Sequence, residues 1–243
     1  MGRKYLAALA VLLFTILSTP SIAQEKGAVL EGFSAETLKG QKILLFRPSV
    51  WVGEQSTGGM PEPRAEWTET ARELLDAELR LRQADFNNEL LEEPTLIGPD
   101  ADMVAEHKAL FNTVAHSVMT YQFFYGNRLP TRKNKAFDWT LGEGTRRIAD
   151  LSGARYGLFI LTEDQYGSTG RKMMQLFAMG LGVGVTSGVH KGYAGLVDLE
   201  TGQLVWLNAD GQMGGDVRDA EGMKKRVAQL LEDFPGLKAM EMQ

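Results

Sequence analysis

Three histidines are the side chains of this chain best suited to metal binding or general acid–base chemistry. His107 and His116 are nine residues apart on one predicted helix. At about 100° per residue they point to opposite faces, so they cannot share a metal within that helix. No H-E-x-x-H pair is present. His107 falls on the apolar stripe of its helix, and we interpret it as a core or rim histidine.

The segment around Ser187 and His190 brings a hydroxyl and an imidazole close together, as nucleophilic catalysis requires. It lacks the G-x-S-x-G spacing of a nucleophile elbow, and no helix is predicted after it. Its glycines at 180, 182, 184 and 188 match neither the dinucleotide fingerprint nor the P-loop. With no cysteine in the chain, thiol catalysis and cysteine–metal sites are excluded. The sequence therefore predicts no cofactor and favours a non-enzymatic protein.

One ligand site is suggested by two short apolar runs, 43–46 and 156–161, which are predicted strands. If they run parallel, their carboxyl ends meet at one edge, where open α/β sheets usually bind ligands. The side chains expected at that edge are Arg47, Trp51, Asp164, Tyr166 and Arg171. Such a group suits a small polar ligand or a peptide, and the alternative is an ordinary salt-bridged loop cluster. Glu163 and Asp164 are adjacent and would point to opposite faces of a strand, which argues against a paired-carboxylate hydrolase.

A second candidate is the apolar, glycine-rich stretch Met173–Val189. Apolar residues alternate with glycines at its centre, which predicts a strand with one apolar and one smooth face. It is either an internal strand or flap over the hairpin that follows, or an exposed surface that contacts a partner, a membrane face or another copy. The residues of this predicted surface are Met173, Met174, Phe177, Met179, Leu181 and Val183.

These candidates need a framework, and the strongest framework signal is the hairpin Gly192–Asp210. Two apolar arms flank a turn at 200–202, where Gly202 can adopt a positive φ. Helices are predicted over 66–83, 100–124, 139–152 and 220–234, a loop over 49–64 and an edge strand over 94–97. This order predicts an α/β (α+β) sandwich of two or three layers, with a mixed sheet, a C-terminal antiparallel hairpin and about four helices.

The N-terminus predicts export. A short basic head precedes the apolar run Tyr5–Leu17, and small residues follow at the positions that a signal peptidase recognises. Residues 1–23 are therefore predicted to be a signal peptide, cleaved between Ala23 and Gln24, with a periplasmic product. An uncleaved membrane anchor is the alternative, but the run has 13 residues where about 20 are needed to span a bilayer. No cysteine follows the run, so a lipoprotein is not expected.

The predicted mature chain divides into a flexible lead-in over 24–40, a single α/β domain over 41–235 and a tail over 236–243. Export removes two cations and no acids, which leaves 24 Lys and Arg against 31 Asp and Glu, a net charge of about −7. That charge argues against nucleic acid or an anionic membrane as the main partner. The predicted partner is an unknown envelope protein or a second copy of the chain.

Three segments carry a family resemblance: Phe137–Arg171, Gly192–Asp210 and Gly214–Val227 look like a group of uncharacterised exported proteins of proteobacteria. The order of strands is also similar to that of the TolB amino-terminal domain and of the periplasmic domain of the curli secretion pore. The resemblance implies a binding module by analogy of fold, and it supplies no catalytic residues. We therefore expect an envelope assembly or accessory factor acting through protein contacts. The alternatives are a ligand-binding enzyme at the edge near Arg47 and Asp164, or a membrane-associating oligomer using Met173–Val189.

Overall fold

A computed structural model describes residues 25–123, 136–185 and 188–238 of the 243-residue chain. The predicted signal peptide over 1–23 lies outside the described residues. Within those ranges, no helix is both long and apolar enough to cross a membrane.

The described residues form eight strands in one mixed sheet and six α-helices. The strands are β1 Glu25–Val29, β2 Lys42–Leu45, β3 Ser49–Gln55, β4 Pro61–Pro63, β5 Glu89–Glu92, β6 Tyr156–Gly167, β7 Val189–Asp198 and β8 Leu204–Asp210. The helices are α1 Ala35–Leu38, α2 Ala65–Leu81, α3 Pro99–Val118, α4 Arg146–Ser152, α5 Thr169–Gly180 and α6 Ala220–Leu230. A π-helical turn, Met119–Phe123, extends α3.

The longest strand, β6, lies at the centre of the sheet and pairs with two consecutive strands on one side. β2 runs parallel to its first half and β3 runs parallel to its second half, with a break at Arg47 and Pro48. The two predicted strands at 43–46 and 156–161 do run parallel, with residues 43–45 in register with 156–158. The predicted loop over 49–64 is wrong, because proline interrupts the ladder only locally and the buried Val50 and Val52 resume it.

The other side of β6 carries the predicted hairpin, in the sheet order β1-β8-β7-β6-β2-β5. β7 and β8 pair antiparallel, and Gly202 has a φ of 75° at the turn. A side chain at Gly202 would collide with the backbone of Gly142, so this turn requires glycine. The segment 24–40, predicted to be a flexible lead-in, contributes β1, which pairs with β8. The edge strand predicted over 94–97 is wrong, and the strand at that edge is β5.

Helices cover both faces of the sheet, which confirms the predicted α/β sandwich and gives it three layers. α1, α2 and α6 pack on one face around Trp206, and α3 and α4 pack on the other. On the second face the rings of Phe46 and Phe111 stack on Phe159, with centroids 4.0 and 4.6 Å apart. About four helices were expected, and the two additional ones are the single turn α1 and the helix α5. Leu237 lies in the segment predicted to be a tail, and it packs against the core around Trp206.

Candidate functional site

A buried polar cluster lies on β6, where the strand leaves the apolar core. Alternate residues of a strand share one face, so Thr162, Asp164 and Tyr166 point the same way. Thr162 and Asp164 are fully buried, and the Thr162 hydroxyl donates to Asp164 Oδ2 at 3.0 Å. Arg226 of α6 and His190 of β7 complete this group. We call Thr162, Asp164, His190 and Arg226 the Asp164 cluster.

Arg226 supplies the positive charge of the Asp164 cluster from a fully buried position. Its Nη1 and Nη2 donate to Asp164 Oδ2 and Oδ1 at 2.6 and 2.8 Å, and Nη1 also donates to the Thr162 hydroxyl. This two-pronged geometry is the strongest arrangement for a guanidinium and a carboxylate. It also compensates the desolvation of two ions that have no access to water.

His190 reaches the same carboxylate from the surface, with Nδ1–H donating to Asp164 Oδ1 at 2.7 Å. Burial raises the pKa of Asp164, but hydrogen bonds from His190 and Arg226 and the charge of Arg226 outweigh it, so its pKa lies below the ordinary value. A carboxylate that orients an imidazole is also part of acid–base catalysis. Among the described residues no hydroxyl is hydrogen-bonded to His190, and Ser187 lies outside them.

Tyr166 extends the cluster toward α2 and the loop before α6. The Arg218 guanidinium stacks on its ring at 3.7 Å from the centroid, and Trp67 meets it edge-on. The Tyr166 hydroxyl accepts from the backbone N–H of Val217 at 3.0 Å. Burial and the nearby charge of Asp164 raise the pKa of Tyr166 above its ordinary value. Tyr166 is therefore held as a neutral structural group.

The structure brings together two of the five residues predicted at the strand-end edge, Asp164 and Tyr166. Arg47 lies elsewhere, because its guanidinium donates to the carbonyl of Glu93 and the hydroxyl of Thr95. Trp51 pairs in register with Glu163, which places it on the opposite face of the sheet from Asp164. Arg171 packs against Gly59 in the turn between β3 and β4. The expected five-residue ligand site does not form.

The apolar stretch Met173–Val189 begins as a helix, which covers its first eight residues, and its glycine-rich centre over 181–185 is not a strand. Ser168 caps α5, because its hydroxyl accepts from the backbone N–H of Arg171 at 3.2 Å. The residues that follow include methionine, leucine, alanine and glutamine, which are strong helix formers. The glycine alternation that suggested a strand begins only at Gly180, where the helix ends.

This helix turns its apolar side away from the protein. Arg171, Gln175 and Ala178 are its half-buried residues, and their spacing of four and three places them on one stripe facing the body. No residue of α5 is buried. We call its outward side chains the apolar face of α5: Met173, Met174, Leu176, Phe177 and Met179. Together with Leu181 and Val183 just beyond the helix, they are between 45% and 82% exposed. The predicted surface residues are therefore all exposed.

The Asp164 cluster lies at the base of α5. β6 ends at Gly167 and the chain returns as β7, where His190 is the register partner of Asp164. Gln55 ties both ends of the intervening segment to β3, since its carbonyl accepts from the N–H of Ser168 at 2.9 Å and its side chain accepts from the N–H of Gly188 at 3.1 Å. A buried charge cluster thus fixes the two strands between which α5 emerges.

Sequence reasoning missed Arg226, although a signal was present. The α6 stripe of Met223, Val227 and Leu230 is apolar, and Arg226 falls beside it, three residues after Met223. A cation on the inner face of a helix requires a buried partner. Polar residues at alternate positions of a predicted strand, here Thr162 and Asp164, are the matching signal.

Comparisons with known proteins find distant structural neighbours. No family model matches the chain, and no curated protein matches it. A PelC dodecamer from Paraburkholderia phytofirmans is 13% identical with a TM-score of 0.36, over 88% of this chain and 98% of that one. Lipoprotein GNA1162 from Neisseria meningitidis is 14% identical with a TM-score of 0.27, over 70% and 77% of the two chains. Scores this low describe a loose likeness of fold, and the finer resemblance to TolB and the curli pore stays a prediction.

Proposed function

We propose that this protein is a non-enzymatic factor of the cell envelope that acts through protein–protein contacts, and that a second copy of the chain binds at the apolar face of α5. The observation that carries this proposal is the orientation of α5. An ordinary surface helix packs its apolar stripe on the core and exposes its polar side. α5 does the reverse, which suits a helix that contacts another surface.

A second copy fits this face because most of the face is uncharged. The chain has a net charge of −5, so two copies repel each other weakly overall. From Met173 to Val185 no residue is charged, and the exposed Lys172 lies at the amino-terminal end of the face, one turn before Leu176. Three methionines in α5 add side chains that adapt to an apolar partner without a preformed pocket.

The size of the exposed surface is also adequate. Seven large apolar side chains, one of them aromatic, are about half exposed or more here. The total is several hundred Å², comparable to the ~800 Å² that each partner contributes to a standard interface. The envelope location rests on the predicted signal peptide.

Sedimentation velocity over a concentration series tests this proposal. We expect the wild-type protein to associate as concentration rises and Phe177→Glu to remain monomeric, because the substitution places a charge at the centre of the contact. Ile97→Glu is the matched control, since Ile97 is also exposed, at 87%, but lies before α3. A wild-type protein that is monomeric throughout, or a Phe177→Glu variant that associates normally, would overturn the proposal. Binding of a monomer to neutral phosphatidylcholine vesicles, lost in Phe177→Glu, would replace the second copy with a membrane.

A further inference from the structure

The exposed apolar side chains of this protein are unevenly distributed. Within the described residues, seven of the thirteen large ones lie between residues 173 and 183. The other six are scattered along the chain before residue 122, and no two of them are adjacent in sequence. They are Val29, Met60, Leu81, Ile97, Leu110 and Tyr121. In the part of the chain that the structure describes, the surface best matched to the apolar face of α5 is therefore the same face of a second copy.

The outward positions of α5 are arranged symmetrically about one point of the helix. At about 100° per residue, Met173 and Gly180 point directly away from the stripe of α5 that faces the body. Leu176 and Phe177 lie on the two sides of that direction, roughly 50° from it. The point halfway between Leu176 and Phe177 is also halfway between Met173 and Gly180. The outward positions therefore exchange in pairs when the helix is reversed about this point.

Two copies of α5 can use this symmetry to pack antiparallel. A two-fold axis through the midpoint of the helix places each outward position of one copy over its counterpart in the other copy. Positions that share this midpoint then meet across the contact. The pairs are Met173 with Gly180, Met174 with Met179 on the flanks, and Leu176 with Phe177.

Gly180 favours this packing, because nothing in the described part of its own chain requires glycine there. Glycine is a weak helix former, and the positive φ at the end of the helix belongs to Gly182, at 74°. A side chain at Gly180 would have no described atom within 4 Å beyond its own helix. The absence of a side chain allows another helix to approach closely, and the unbranched Met173 of a second copy fits over this position.

Charge favours the antiparallel arrangement over the parallel one. Arg171 and Lys172 lie in the first turn of α5, at the positive end of the helix dipole, and Lys172 is exposed. A parallel pair would bring two such ends together. An antiparallel pair places Lys172 beside Leu181 of the second copy, at the carboxyl end of the helix, where the dipole is negative.

We infer that the second copy binds through its own α5, antiparallel to the first and related to it by a two-fold axis between Leu176 and Phe177. The inference rests on the proposed self-association and specifies its geometry. Such a contact uses the same surface on both copies, which is the commonest arrangement in soluble oligomers.

Disulfide cross-linking tests this geometry, because the chain contains no cysteine of its own. Met173→Cys and Gly180→Cys are oxidised separately and as an equal mixture, at a concentration at which the wild-type protein associates, and the linked peptides are identified by mass spectrometry. We expect a 173–180 disulfide in the mixture at a yield at least about tenfold above that of either variant alone. In the antiparallel pair the two copies of residue 173 are about 10.5 Å apart along the helix, and Cα atoms more than about 7 Å apart cannot be bridged.

Met174→Cys is the matched control, since residue 174 is adjacent to 173 but lies about 9 Å from residue 173 of the antiparallel copy. It should form no disulfide with Met173→Cys. Disulfides that link 173 to 173 and 180 to 180 would indicate a parallel pair and overturn the inference. A wild-type protein that associates, while the mixture forms no 173–180 disulfide, overturns the inference and leaves the proposed association standing. A wild-type protein that is monomeric throughout overturns both.

Discussion

The Asp164 cluster and the apolar face of α5 are a few residues apart in the chain and violate the usual distribution of polarity in opposite ways. Asp164 and Arg226 are ions with no exposure to water, whereas α5 exposes methionine, leucine and phenylalanine. Burying an ion costs several kcal/mol unless it is paired. Exposing apolar surface costs ~25 cal/mol per Å². In the first region the cost is offset inside the chain, by paired charges. In the second nothing within the described residues offsets it.

This difference explains how a helix without a buried residue can be held in place. α5 gains little from packing, so its position depends on its two ends. Gln55 holds both ends of the segment 168–188, which contains α5, through hydrogen bonds, and the Asp164 cluster fixes the strands beneath that segment. A rigid base and an apolar surface above it are what a contact element needs, because a preorganised surface loses less entropy on binding.

The largest expected effect comes from breaking the buried ion pair. Asp164→Ala leaves the Arg226 guanidinium buried without its counter-ion, and we expect a loss of about 3–5 kcal/mol in the free energy of unfolding. Urea denaturation followed by circular dichroism measures it. The double variant Asp164→Leu with Arg226→Met is the control, since removing both ions should cost clearly less than Asp164→Ala alone. Equal losses in the two variants would show that packing, rather than charge, governs this position.

Low pH should destabilise the Asp164 cluster and leave the apolar face of α5 unchanged. The folded-state pKa of Asp164 is lowered, so its ionised form stabilises the fold. That contribution is fully present above the unfolded pKa of about 3.9 and is lost as pH falls through the lower folded pKa. We expect the free energy of unfolding to decrease below about pH 4 in the wild-type protein, and to decrease less steeply in Asp164→Asn. Denaturation curves between neutral pH and acid measure both slopes, and parallel slopes would exclude Asp164 as the cause.

The framework was predictable because its signals are local and apolar. The framework strands are continuous apolar segments, at 43–46, at 156–161 and in the two arms of the hairpin over 192–210. In the predicted helices, apolar residues recur at the helical period. β3 was missed because glycine and proline dominate the composition around it, although Val50 and Val52 alternate as a strand requires. α5 was mistaken for a strand because the glycine alternation after residue 180 outweighed the helix formers before it.

The site was predictable only in part, for a physical reason. Asp164 and Tyr166 were identified because they follow a strong strand, but their partners come from distant segments. Arg226 is 62 residues away along the chain, and only tertiary packing brings its guanidinium to the carboxylate. Arg47 was grouped with Asp164 on the assumption that the strands end together. In the structure β6 continues past β2 and carries Asp164 away from Arg47.

A smaller, local effect is expected from the cap of α5. Ser168→Ala removes the acceptor of the Arg171 N–H, and loss of an N-cap costs about 1 kcal/mol. Since no residue of α5 is buried, the loss should appear as local opening of α5 rather than as global unfolding. Hydrogen exchange should be about fivefold faster for amides of α5 and unchanged for those of β6 and β7. Equal acceleration in all three elements would mean that α5 is an integral part of the folding unit.

The smallest effect on stability should come from the surface that matters most for contact. Phe177 is 71% exposed and belongs to neither hydrophobic core, so Phe177→Glu should change the free energy of unfolding by no more than about 0.5 kcal/mol. The measurement is made by urea denaturation at a concentration at which the wild-type protein is monomeric, because association would add its own stabilisation. A loss above about 2 kcal/mol would place Phe177 in intramolecular packing, and any loss of association in this variant would then reflect unfolding. A neutral result, together with the loss of association, assigns the apolar face of α5 to contact between molecules.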